Sequence, residues 1–283
     1  MKIMVTGANG QLGQELVKQL SSSGHDLFAF TKTELDITDI EQVDAVCNDI
    51  RPNIIINAAA YTNVDGAETN QELAFQVNEI GQRNLAVAAE KIGAKICYIS
   101  TDYVFNGQAS SPYTEYMNVD PLGVYGQSKY AGEFLTKTLS TKYFIVRTAW
   151  VYGEFGPNFV KTMLKLAEEK TEIGVVHDQI GSPTYTVDLA EFLIELVQTE
   201  KYGIYHSTNS GTCSWYEFAK EIFKVTNKDI VVNPLTSEQF PRPAKRPAYS
   251  VLGDLSLRIN GFTPRRHWKD ALYEYINKNN NLL

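Results

Sequence analysis

Three glycines at positions 7, 10 and 13 fall between a short apolar run and a helical period, and they constrain the fold more than any other feature of the chain. Lys2-Ile3-Met4-Val5-Thr6 reads as a strand, and Gln11 to Ser22 as a helix with Leu12, Leu16 and Leu20 on one face. A glycine turn that joins a strand to a helix offers the free N–H groups of the helix N-terminus to an anion such as a pyrophosphate. Gly7 suits the tight turn, Gly10 the close approach of phosphate, and Gly13 the packing of helix on strand. The alternative is an ordinary strand-to-helix turn. What favours a dinucleotide site is the alternating series that follows.

A second strand is expected at Asp26–Phe30, and a helix from Asp39 with Ile40, Val43, Val46 and Ile50 at helical spacing. Pro52 breaks that helix before the fully apolar run Ile54-Ile55-Ile56. A long helix, Glu72 to Ile92, precedes a strand from Lys95 to Ser100, and Tyr143–Arg147 reads as a later strand. Continuous apolar strands, each followed by a helix, imply a parallel sheet covered on both faces. Right-handed crossovers make it a doubly wound, Rossmann-like α/β sheet.

The second half is more broken. Gly181-Ser182-Pro183 and Asn233 to Pro247, with prolines at 234, 241, 243 and 247, read as ordered loops. Residues 186–199 read as a helix and Tyr202–Ser207 as one more strand of the main sheet. The expected division is a dinucleotide-binding domain of residues 1–149 and 184–209, with a smaller substrate-binding lobe of residues 150–183 and 210–283. A chain of 283 residues has the length for two such units.

Composition narrows the partners. The formal net charge is -7, with no long Lys/Arg cluster, which argues against nucleic acid or an anionic membrane surface. No apolar run approaches the ~18 residues of a membrane-spanning helix, and a strand beginning at Lys2 leaves no room for a cleavable leader. Cys47, Cys97 and Cys213 form no CxxC pair, and His25, His177, His206 and His267 show no metal spacing. A reducing cytoplasm and no structural metal are the expectation.

The chemistry is carried by Tyr125 and Lys129, at i and i+4 on one helix face. Reduction of a carbonyl needs a proton donor for the developing alkoxide, and an unperturbed tyrosine has a pKa of ~10. A nearby ammonium stabilises the phenolate and is expected to lower that pKa. Alone, such a pair is more often a surface contact. Thr101, however, closes the strand that precedes it, where the carboxyl ends of a parallel sheet line the ligand crevice. A hydroxyl there can donate to a substrate carbonyl.

The spacing GxxGxxG, followed in order by Thr101, Tyr125 and Lys129, resembles the short-chain dehydrogenase/reductase superfamily and its Ser/Thr–Tyr–Lys triad. The resemblance implies that Gly7, Gly10, Gln11, Leu12 and Gly13 hold the cofactor. It also implies that Asp36 and Ile37 lie near the adenine, that Ala60, Tyr61 and Thr62 line the cofactor, and that Tyr125 and Lys129 reach its nicotinamide end. No acidic residue closes the second strand to grip a ribose 2′-hydroxyl. Thr31 and Lys32 stand there instead, and Lys32 could pair with a 2′-phosphate or be an ordinary solvated lysine. NADPH is therefore favoured over NADH.

A finer resemblance rests on Asn57-Ala58-Ala59-Ala60-Tyr61-Thr62-Asn63-Val64-Asp65, Ser100-Thr101-Asp102-Tyr103-Val104-Phe105, Val124–Lys129, Arg147–Gly153, Asp178–Thr184 and Arg246–Leu252. In that order they resemble the dTDP-4-dehydrorhamnose reductases over essentially the whole chain. What this implies is reduction of the C4 ketone of a dTDP-linked deoxysugar, with Thr101 and Asp102 touching the sugar and Trp150 packing against substrate. Arg246 is a candidate partner for the diphosphate; a loop salt bridge is its alternative. A homodimer, and Mg²⁺ at its interface involving Glu15, are also compatible with the family. A sugar-nucleotide 4,6-dehydratase or epimerase would share the triad, but dehydratases resemble a Thr-Asp-Glu arrangement and position 103 here is Tyr103. A non-catalytic subunit resembling the regulatory subunit of methionine adenosyltransferase is the rival of another class, and an intact triad argues against it.

Overall fold

A computed structural model describes residues 1–279. In chain order the elements of the first half are β1 (Lys2–Thr6), α1 (Gln11–Leu20), β2 (Asp26–Phe30), α2 (Ile40–Ile50), β3 (Ile54–Asn57), α3 (Val64–Thr69), α4 (Gln71–Phe75), α5 (Gln82–Ile92), β4 (Lys95–Thr101), α6 (Val124–Leu139) and β5 (Tyr143–Thr148). The second half comprises β6 (Val151–Tyr152), α7 (Phe159–Glu169), β7 (Glu172–Val176), β8 (Ile180–Gly181), β9 (Thr184–Tyr185), α8 (Thr186–Val197), β10 (Gly203–His206), β11 (Cys213–Ser214), α9 (Trp215–Val225), β12 (Val231–Leu235), α10 (Leu255–Ile259) and α11 (Trp268–Lys278).

Six parallel strands form the main sheet in the order β10-β5-β4-β3-β1-β2. Side chains alternate across it, as a pleated strand requires. Ile3, Val5, Ile54 and Ile56 face α1 and α8, while Met4, Ile55 and Ile96 face α2 and α5. These residues are fully buried, so the unbroken apolar run of β3 reflects a strand covered on both sides. The chain leaves β1 towards β2 and then crosses back to β3, so the order reverses between β1 and β3. A crevice outside the carboxyl ends of these strands is where such sheets bind ligands.

A separate apolar cluster joins Tyr152, Val160, Leu164, Phe218, Ile222, Trp268, Leu272 and Tyr275, and so draws on β6, α7, α9 and α11. Leu257 and Phe262 pack instead into the core of the main sheet, beside Phe192 and Tyr205.

The structure departs from the sequence reading in three places. The helix expected from Glu72 to Ile92 is α4 and α5 joined by a π-helical turn at Gln76–Gly81. Asn233 to Pro247 is not all loop, because β12 runs through Pro234 and pairs in parallel with β7. Proline is tolerated in a two-stranded ribbon, where one side of each strand needs no partner. The helix expected to reach residue 199 ends at Val197.

Candidate active site

The turn after β1 folds as the glycines dictate. Gly7 has φ +69°, and a Cβ there would lie 2.5 Å from the Ala59 nitrogen; one on Gly13 would lie 2.1 Å from the Gly7 carbonyl oxygen. Both positions therefore demand glycine, for conformation and for close packing. Gly10 precedes α1 in extended conformation, and the first backbone acceptance inside the helix is Gln14 N–H to the Gly10 carbonyl. The N–H groups of Gln11, Leu12 and Gly13 thus lack intrahelical acceptors.

A cavity of about 250 Å³ opens over this turn. It gathers Gly7, Gly10, Lys32, Asp36, Ile37, Ala60 and Tyr61 with Asn9, Leu35, Ala58, Ala59 and Val77. Gln11, Leu12, Gly13, Thr31, Thr62, Tyr125 and Lys129, also expected at the cofactor, do not line it. Leu12 packs into the sheet core, and the Gln11 amide is engaged with the Val151 carbonyl (3.2 Å) and the Asn158 amide (3.1 Å). Thr31 is turned towards Glu34. Lys32 makes no ion pair among the described residues.

Buried polar groups tie this cavity to the helix carrying Tyr125 and Lys129. Asn57 accepts from the Thr6 hydroxyl (2.7 Å) and the Ala59 N–H (3.0 Å) and donates to Gln82 (2.7 Å), which donates to Thr136 on α6 (2.8 Å). Asn78, inside the π-turn, accepts from Tyr61 N–H (2.8 Å) and donates to the Tyr61 carbonyl (3.1 Å) and the Ser128 hydroxyl (3.0 Å). The sequence reading missed Asn78, whose one signal was a polar residue among apolar positions of a packed helix. Tyr61 and Tyr125 also share an apolar cluster with Ala67, Ala74 and Val124.

Thr101 ends β4 and its hydroxyl bonds the Asp102 carboxyl at 3.0 Å. Tyr125 stands on the first turn of α6, with the Tyr103 ring edge-on to it at 5.7 Å. Burial pushes Tyr125 up to about 12, partly offset by a hydrogen bond from Thr101. That corrects the expectation of a lowered phenol: desolvation, with the Asp102 charge adding to it, outweighs the Thr101 hydrogen bond. Lys129 is buried with its Nζ 4.0 Å above the Tyr98 ring. Burial depresses it to about 7, against the attraction of Glu133 one turn further on. Glu133 is itself fully buried, held by Arg147 (2.8 and 2.6 Å) and by the Ser100 hydroxyl (2.6 Å). Asp102 is raised to about 6 by burial, and its Oδ2 has no hydrogen-bond partner.

Trp150 has φ +49°, a left-handed conformation that is strained for a bulky residue. Its indole stacks on Trp215 at 3.6 Å and lies where a Cβ on Gly181 would be. Trp215 lines a second cavity, of about 620 Å³, walled by Phe159, Met163, Leu166, Val175, Leu235 and Phe240, with Arg242 and Arg246 beside them. Arg246 and Arg242 both bond the Asp65 carboxyl. Burial works against that charge, but the two guanidinium groups hold Asp65 down at about 2. Of the two alternatives for Arg246, the structure shows the loop salt bridge, at a cavity wall. Trp215, Phe240 and Arg242 were absent from the sequence reading, because nothing in their local spacing marks them.

Glu15, considered for a metal, is buried in α1, with one oxygen accepting from Gln19 and the other unpartnered. No group of three His, Cys, Asp or Glu side chains that could hold a metal ion occurs among the described residues. Nor is any described helix long and apolar enough to cross a membrane.

Comparison with known proteins agrees with this geometry. Residues 1–281 match the protein-family model described as RmlD substrate binding domain. The chain is 46% identical over 275 residues to the spore coat polysaccharide biosynthesis protein SpsK of Bacillus subtilis (strain 168), covering 97% of this chain and 96% of that one. It is 47% identical over 264 residues to the dTDP-4-dehydrorhamnose reductase of Aggregatibacter actinomycetemcomitans, covering 89% and 90% respectively. The crystal structure of dTDP-4-dehydrorhamnose reductase from Bacillus anthracis str. Ames in complex with NADP superposes with a TM-score of 0.96 at 50% identity, over 98% of this chain and 99% of that chain. With its glycine turn, its Thr–Tyr–Lys constellation and this match along nearly its whole length, the chain belongs to the RmlD substrate binding domain family.

Proposed function

We propose that this protein is an NADPH-dependent reductase that converts the C4 ketone of dTDP-4-dehydro-β-L-rhamnose into the alcohol of dTDP-β-L-rhamnose. The observation that carries the reading is the hydrogen bond between Thr101 and Tyr125, with Lys129 one turn further along α6 and Tyr125 sharing an apolar cluster with Tyr61, which lines the glycine-turn cavity. The cavity suits a dinucleotide: Gly7 and Gly10 line it where the chain enters α1, so a pyrophosphate can approach the backbone there, Asp36 and Ile37 lie on the adenine side, and Lys32 stands at the ribose. When bound, the nicotinamide supplies the hydride, and the protein's part is placement, proton supply and charge stabilisation.

Each residue has one physical task. Thr101 donates a hydrogen bond to the sugar oxygen as negative charge builds there. Tyr125, its pKa held high by burial, is fully protonated at neutral pH and delivers its proton to that oxygen. Lys129, brought to about 7 by burial against the attraction of Glu133, is poised between its charged and neutral forms at neutral pH and, when charged, supports the phenol and the nicotinamide ribose. Asp102, with an unpartnered oxygen, accepts from a sugar hydroxyl. The lobe of residues 150–183 and 210–283 receives the nucleotide, its apolar cavity taking the base and Arg242 and Arg246 the diphosphate. A Tyr rather than Glu at position 103 leaves no second carboxylate for loss of water.

The test is NADPH oxidation in the presence and absence of dTDP-4-dehydro-β-L-rhamnose, with the product identified by NMR. One NADPH consumed per sugar, with dTDP-rhamnose as product, is the expected result. A dehydrated product would favour the dehydratase reading, and binding without turnover the non-catalytic one.

A further inference from the structure

Ser100 and Arg147 are paired in register across β4 and β5, each one residue before the threonine that ends its strand. Both side chains converge on Glu133 of α6. The Ser100 hydroxyl donates to its Oε1 at 2.6 Å, Arg147 Nε to Oε1 at 2.8 Å, and an Arg147 terminal nitrogen to Oε2 at 2.6 Å. None of the three residues is more than 3% exposed, and none lines either cavity. The other terminal nitrogen of Arg147 donates to His206 Nε2 at 3.3 Å. His206 Nδ1 lies 3.1 and 3.0 Å from the carbonyls of Tyr113 and Gly253, so Nδ1 carries the proton, and burial keeps the ring neutral. Glu133 is thus the one salt-bridge partner of Arg147 among the described residues. A buried ion pair is a weak stabiliser, because desolvation offsets its attraction. A use other than stability is called for, and Glu133 lies at i+4 from Lys129 on the same helix face.

We propose that Glu133 is a positioning residue for the reduction: it pins α6 to the ends of β4 and β5, so that Tyr125 stays in reach of the Thr101 hydroxyl, and it sets a fixed negative charge one turn beyond Lys129. The proposal rests on reading Thr101, Tyr125 and Lys129 as the reducing site. The three donors from Ser100 and Arg147 are what a buried carboxylate charge requires. Other ionisable groups reach this region from the elements packed on α6. They are Tyr98 on β4, Asp102 and Tyr103 on the turn after it, Glu79 on the π-turn and Glu68 on α3, with Tyr125 on α6 itself. α4 and α5 present the uncharged Ala74 and Gln82. Of all these charges Glu133 is the one that acts on Lys129, favouring its ammonium against burial.

The experiment follows the Lys129 charge by ¹³Cε NMR in lysine-labelled protein, with NADPH affinity and turnover measured across pH. It compares wild type, Glu133→Gln and the double variant Glu133→Gln/Arg147→Met. Glu133→Gln keeps an acceptor for Ser100 but leaves the Arg147 charge unmatched. The double variant removes both charges and carries the same test if the single variant does not fold. Lys129 should titrate about one pH unit or more below wild type in Glu133→Gln, and shift in the same direction in the double variant. The ammonium is then scarcer at pH 7, so NADPH affinity and turnover should each fall about tenfold there. Both deficits relative to wild type should close as pH is lowered through the new midpoint. An unmoved Lys129 midpoint in a folded variant, or a deficit that lower pH does not close, overturns the proposal and leaves wild-type reduction standing. Failure of wild type to oxidise NADPH with the sugar overturns the reductase reading and the proposal with it.

Discussion

Asp102 shows how a single buried group binds stability to function. Its carboxyl is pushed from 3.8 to about 6, mainly by burial. Between those values the folded chain binds more protons than the unfolded one, so stability falls as pH rises through the window and stays lower above about 6. A shift of this size corresponds to about 2–3 kcal/mol. Asp102→Asn keeps the shape and an acceptor for Thr101 but removes the charge. The variant should be more stable than wild type by about that amount at pH 8 in urea titrations, and by only about half as much at pH 5. Turnover should fall at least tenfold at both pH values. An equal stability difference at the two pH values would show that Asp102 carries no buried charge.

At the scale of elements, periodicity revealed the helices and strands but not how they are modified. The apolar spacing of residues 72–92 announces a helix, whereas the π-turn within it is a matter of backbone hydrogen bonding that side-chain identity does not spell out. That turn positions Asn78 between the Tyr61 backbone and Ser128, so it couples the cofactor-side loop to α6. Asn78→Ala would leave buried polar groups unpaired, each costing about 1–3 kcal/mol. We expect a global destabilisation of about 2–3 kcal/mol by chemical denaturation, with a higher KM for NADPH as the Tyr61 loop loosens. Full stability with unchanged KM would mean that Asn78 positions nothing. β12 went unread for a related reason: Pro234 and the prolines that follow it argue for loop, and only pairing with the distant β7 makes it a strand.

Across the whole molecule, what could be read in advance was the part with a repeating local code. The main sheet, its continuous apolar strands and the glycine turn belong to that part, as do Tyr125 and Lys129, because an i, i+4 pair needs only helical spacing. The second half of the chain was not legible in detail. Its β6, β8, β9 and β11 are two residues long, too short for any period, and its cavity wall collects side chains from α7, β7, α9 and the loop after β12. The Trp150–Trp215 stack and the Asp65–Arg246 pair join residues far apart in the chain, and no local pattern encodes such contacts.

Whether Tyr125 delivers the proton that completes the alcohol is decided by single-turnover kinetics of Tyr125→Phe. With NADPH and dTDP-4-dehydro-β-L-rhamnose premixed at saturation, the variant should bind NADPH within about twofold of wild type, because the phenol is not a principal anchor. Its rate of NADPH oxidation should fall by at least the ~10²-fold associated with removal of a general acid. A Tyr125→Phe protein that binds NADPH normally and oxidises it at a near wild-type rate would contradict the account.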